Sequence, residues 1–210
     1  MKISRAKRLV GLVATSSVMA LSACNVLPQA TPVDVYRLPP AAIVSPPEQA
    51  RIDWSLRVAR PQAIDLLNSS RIAVADGTRL NVYESARWSA SATELWRDHV
   101  LDVFQQDGRF AEVSSDEEGV RADYELTGIL RAFYSERTAE GREAVIVVDA
   151  RLVDLAQRRT VQAQRFEVRE QAADGRLSSV VDAFGEAADR LALELLDWTL
   201  GAAMLQRTTY

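Results

Sequence analysis

Ala144-Val145-Ile146-Val147-Val148-Asp149-Ala150-Arg151-Leu152 is apolar at every second residue, while the intervening positions mix apolar and charged side chains. A period of two is that of a β-strand, whose successive side chains point to opposite faces. One face of this strand is therefore meant for a core. Thr160 to Val168 returns after a loop at Ala156 to Arg159, so the two runs predict a hairpin.

The cover for that apolar face follows directly. From Ser179 to Leu200 the period changes, and Val181, Phe184, Ala188, Leu191, Leu195 and Trp198 step by three and four along one stripe. Such a helix spans roughly 30 Å. The stripe is read as packing on its own sheet and not as a coiled-coil seam. Gly201 is the expected stop, and residues 202–210 are expected to form a frayed tail.

Working back from the hairpin, Ala122 to Phe133 reads as a long strand, with Gly128 marking a bulge or a close approach. Arg109 to Val113 reads as a short one. Before them, Ser91 and Glu94 have capping-box spacing, Trp96, Val100, Val103 and Phe104 share a helical face, and Gly108 closes the segment. Further strand candidates are Leu80 to Tyr83, Arg71 to Ala75 with a turn at Asp76-Gly77, and Ile52 to Val58. In the last of these, Ile52, Trp54, Leu56 and Val58 share one face. The order strands, helix, strands, helix predicts an α+β fold: a mainly antiparallel sheet with two helices packed on one face. One such domain is expected over residues 51–201.

The N-terminus follows another logic. Lys2, Arg5, Lys7 and Arg8 precede an apolar core from Leu9 to Leu21, too short for an ordinary membrane span. Leu21-Ser22-Ala23-Cys24 resembles a bacterial lipobox, in which the cysteine is acylated and the signal is cut before it. Residues 1–23 are then the signal peptide, and Cys24, the only cysteine, is the lipidation site. Two or more acyl chains give stable anchoring. Residues 24–50 hold six of the seven prolines and read as a spacer, with a short strand at Val33 to Leu38. Cleavage leaves 187 residues and moves the formal charge from −4 to −8, which argues against nucleic acid as a partner. A local basic patch toward anionic headgroups stays open. Asn25 after the cysteine, where inner-membrane retention favours aspartate, points to the outer membrane with the domain facing the periplasm.

The chemical inventory is poor. His99 is the only histidine and reads as a half-buried, hydrogen-bonded side chain of the first helix. Beyond Lys7 there is no lysine. No nucleophile elbow, phosphate loop, dinucleotide fingerprint or metal-ligand spacing is present. Asp116-Glu117-Glu118 reads as a solvated loop, with a carboxylate hydrolase as the enzymatic alternative. No catalytic residue, metal or cofactor is expected. Tyr83, Arg87 and Trp88 are the candidate partner-binding residues, because aromatics and arginine dominate interface hot spots. Their structural alternative is that Tyr83 and Trp88 plug the sheet end while Arg87 pairs with a carboxylate.

Together, Ser70-Arg71-Ile72-Ala73-Val74, Tyr83 with Ala86-Arg87-Trp88, Gly108-Arg109-Phe110, Ala122-Asp123-Tyr124-Glu125-Leu126 and the Leu152-Val153-Asp154 to Phe166 hairpin resemble the ABC-type transport auxiliary lipoprotein family. The likeness runs from Tyr36 to Trp198. It departs at Val82-Tyr83, where the family often has two tyrosines. It implies a non-catalytic outer-membrane lipoprotein of a mammalian-cell-entry-type ABC system that moves lipids or other hydrophobic molecules. The partner implied is a periplasmic mammalian-cell-entry-domain protein, and a homo-oligomer is compatible with it. The alternative is a structural or regulatory lipoprotein contacting peptidoglycan or an envelope synthase.

Overall fold

The computed structural model describes residues 32–42 and 51–207. The signal segment, Cys24 and most of the proline-rich spacer lie outside the described residues. Eight strands and two helices follow one another: β1 Asp34–Tyr36, β2 Ile52–Val58, β3 Arg71–Asp76, β4 Arg79–Trp88, α1 Ala92–Asp107, β5 Phe110–Ser115, β6 Tyr124–Arg137, β7 Arg142–Asp154, β8 Arg159–Gln171 and α2 Leu177–Arg207.

The alternation over Ala144–Leu152 becomes β7, with Ala144, Ile146, Val148, Ala150 and Leu152 all buried. β7 pairs antiparallel with β8 on one side and β6 on the other. β6 is long enough to have two partners along its far edge. Leu126 lies against β2, and Tyr134 lies against β3 at the other end. Between these contacts, Gln62 bridges to Ile129 and keeps the edge of β6 bonded. β4 then joins β3, β1 joins β4, and β5 joins β2.

The α+β class holds, but the sheet is mixed. Four of its seven pairings among the described residues are parallel (β1–β4, β2–β5, β2–β6, β3–β6), which corrects the expectation of a mainly antiparallel sheet. The physical reason is connectivity. Antiparallel neighbours are joined by short turns, as in β3–β4, β6–β7 and β7–β8, whereas β3, β4 and α1 lie between β2 and β5 and supply the long crossover that a parallel pair requires. Alternation reports which face a residue takes and carries no information on strand direction.

Both helices enter one core. Trp96, Val100, Val103 and Phe104 of α1 join Val181, Phe184, Ala188, Leu191 and Leu195 of α2 over the apolar face of the sheet. The Ser91 cap forms as expected: Glu94 N–H donates to Ser91 Oγ at 3.3 Å. The Glu94 carboxylate accepts from the Ser91 hydroxyl at 3.1 Å. Gly108 takes φ +73°, a left-handed stop. Gly201, by contrast, does not end α2, which continues to Arg207. It is not among the glycines with positive φ, so the backbone reversal that closes a helix is missing there.

Part of the spacer is not free chain. Beyond β1, Leu38 and Ala41 pack on the core and Pro39 sits on Gly185 of α2. The Ala42 N–H donates to Asp189 Oδ2 at 3.3 Å. This docked strap covers α2 before the chain reaches β2.

Candidate docking surface

Tyr83, Arg87 and Trp88 all lie on β4, and their surroundings differ. Trp88 is in register with Tyr36 and only 1% exposed. Its ring meets Phe133 and Phe184 edge-on, at 5.8 and 5.4 Å between centroids. Tyr83 is half-buried, with its hydroxyl 3.2 Å from Ser135 Oγ and the Arg142 guanidinium over its ring. Arg87 alone of the three is exposed. Among the described residues no carboxylate pairs with it, so the structural alternative holds for the aromatics and not for the arginine.

Sheet register supplies the neighbours of Arg87. It faces Val35 on β1 and Arg71 on β3, and paired residues share a face. Val35 is 53% exposed and Val33 45% exposed, while Arg71 and Arg37 are exposed as well. The sequence singled out Arg87 and missed the rest of this row, since the β1–β4 pairing joins segments fifty residues apart.

The acidic run is spent on structure. Arg97 is 4% exposed and binds Asp116 at 2.9 Å, Glu117 at 3.1 Å and Asp98 at 2.7 Å. Asp116 also accepts the Arg60 N–H at 3.2 Å, and Glu118 accepts that of Ser115 at 2.8 Å. Burial works against ionisation of Asp116, but these bonds outweigh it and hold its carboxyl below the usual range. The run therefore fastens the β5–β6 loop to α1. His99 is buried, and its Nε2 lies 2.8 Å from Asp189 Oδ1. Burial lowers its pKa below the ordinary value of 6.5, against the opposing pull of Asp189. The gap bounded by Val58, Trp96, Val100, Gly128, Val148 and Leu195 holds about 20 Å³, enough for one water and not for an acyl chain.

The sheet face away from the helices carries a charged lattice. Arg131 and Arg165 grip Asp149, at 2.7 and 2.5 Å, and hold its carboxyl far below the usual range. Arg169 reaches Glu136, Glu167 and Glu143 at 2.7, 2.9 and 3.4 Å. Among the described residues β8 pairs only with β7, which leaves the other edge of its thirteen residues without a strand. Among the described residues no cluster of three or more metal-ligating side chains occurs, and no helix is long and apolar enough to cross a membrane.

Comparison with known proteins places this architecture. The crystal structure of XCC0632 from Xanthomonas campestris, of the DUF330 family, is similar at 27% identity and a TM-score of 0.76, covering 83% of this chain and 99% of that one. A second crystal structure, of an uncharacterized protein, shares the fold at 12% identity and a TM-score of 0.63, covering 79% and 97%. No curated protein matches by sequence. The model of the family described as the ABC-type transport auxiliary lipoprotein component matches residues 36–195, from the end of β1 to past the middle of α2. The chain belongs to the ABC-type transport auxiliary lipoprotein family.

Proposed function

We propose that this lipoprotein is the outer-membrane-anchored accessory of a mammalian-cell-entry-type ABC system that moves lipids or other hydrophobic molecules across the envelope. It acts without catalysis, by docking a periplasmic mammalian-cell-entry-domain protein. The observation that carries this reading is the family match over residues 36–195, which takes in every element from β2 to β8, the last residue of β1 and the first part of α2. Acyl chains on Cys24 hold the protein to the membrane, and Asn25 favours the outer one. Trp88 and Tyr83 are occupied in packing, so the docking edge is assigned to β8. Its open main-chain groups can take an added strand, and its arginines and glutamates set the register.

The test is photo-crosslinking from Ala163 and Arg165 of β8 in intact envelopes, with mass spectrometry of the N-terminal peptide. Capture of a mammalian-cell-entry protein, an acylated Cys24 and a permeable envelope on deletion are expected. Recovery of peptidoglycan or an envelope synthase, with normal permeability on deletion, would overturn the reading.

A further inference from the structure

Nine peptide steps lead from Cys24 to Val33, so about 30 Å of fully extended chain separates the acylated residue from the residue before β1. The β1 edge is thus the part of the folded domain tied closest to the bilayer. On the face that Val35 shares, its exposed residues are of two kinds. Val33 and Val35 are large apolar side chains 45% and 53% exposed. Arg87 and Arg71 continue the Val35 row across β4 and β3, and Arg37 is exposed two residues beyond Val35.

None of Arg37, Arg71 and Arg87 pairs with a carboxylate among the described residues. On the same sheet Arg57, Arg131, Arg165 and Arg169 do, so the three stand with those of its arginines whose charge is left uncompensated. The nearby acids do not cancel this charge. Asp34 is in register with buried Ala86 and so belongs to the other face. Glu84 adds one carboxylate to the depression it lines with Arg71 and Leu80. A local excess of positive charge therefore stands at the tethered edge of a chain whose net charge is negative.

We infer that this patch is a membrane-docking surface, which seats the domain on anionic lipid headgroups of the leaflet that holds the acyl chains. Guanidinium groups bind phosphate oxygens in a fork geometry, and the two valines rest at the headgroup boundary. An acidic protein segment could satisfy the same arginines. The short tether decides for lipid, because it keeps the bilayer at high effective concentration beside this edge. The inference rests on the acylation of Cys24 and is independent of the partner assigned to β8.

Val35→Cys gives the acylated full-length protein its only free thiol, which is labelled with a polarity-sensitive fluorophore. The labelled protein is reconstituted in phosphatidylcholine vesicles with and without phosphatidylglycerol. A blue shift confined to the anionic vesicles and reversed by salt is expected. Arg71→Gln with Arg87→Gln lowers the ratio of docked to undocked domain about 30-fold, at about fivefold per arginine, with the melting temperature unchanged. With Cys24 acylated, emission indifferent to lipid charge or to the two arginines would overturn the patch alone. So would a photo-crosslinker at Val35 that captures a protein instead of lipid in intact envelopes. An unacylated Cys24, read from the same sample by mass, would overturn the anchoring and the patch together.

Discussion

Gly128 on β6 lies against the backbone of β7, where a Cβ would run into the carbonyl oxygen of Asp149. The neighbour is main chain and cannot rotate away. Gly128→Ala should therefore cost about 2–3 kcal/mol, visible as a lower midpoint in urea unfolding. His99 offers a second measurement at this scale. Its pKa is lowered in the folded protein, chiefly by burial, so between the folded value and the unfolded value of 6.5 the unfolded chain binds more protons. Stability is complete above 6.5 and falls as pH drops through that window. His99→Gln, which can still donate to Asp189, should flatten this part of the stability profile. A midpoint measured across mildly acidic to neutral pH checks it, and an unchanged slope would mean that His99 does not set it.

Among the elements, β4 and the strap over α2 behave unlike their sequence. Trp88 fills the core beside Phe133 and Phe184, so Trp88→Ala should cost about 3–5 kcal/mol in unfolding free energy, with the loss read as stability before any loss of partner binding. Gly185 has room for Pro39 and for nothing else: a Cβ there would come within 2.7 Å of the proline ring. Gly185→Val should dislodge Leu38–Ala42 and speed hydrogen exchange at β1, leaving β6, β7 and β8 protected. Uniform exchange across all strands would refute that local effect. The alternation of β2 and β7, the Ser91 cap and the stripe of α2 were all legible, because each is written within one segment. The direction of β5 against β2, the row from Val35 to Arg71 and the seat of Pro39 on Gly185 were not. They arise where distant segments meet, and neither periodicity nor composition encodes a meeting.

For the molecule as a whole, the single core joins both helices to β2, β4, β6, β7 and β8. Loss of α2 would uncover the apolar face that β6, β7 and β8 share, so the described fold should unfold in one transition, with tryptophan emission and far-ultraviolet dichroism coinciding. Separate midpoints would show that α1 with β5 forms its own unit. The two long sides of the sheet are unequal. Among the described residues, the side beyond β6 away from β7 ends in two short strands, β1 next to the tether and β5, and the other side ends in the thirteen residues of β8. The two proposals thereby place membrane contact and partner contact on different strands.

That inequality has a mechanical meaning. β1 is held to β4 by parallel pairing over only Asp34–Tyr36, backed by the Pro39 seat and the Ala42–Asp189 bond. A tension between the anchor and a docked partner loads these few bonds first, while the core behind them carries little of it. Release of β1 and the strap would free the chain up to Ile52, and the tether would lengthen from about 30 Å to about 90 Å at full extension. With an anchor on Cys24 and a partner on β8, as proposed, the strap would act as a mechanical fuse with slack behind it, able to yield to a moving envelope without unfolding the domain.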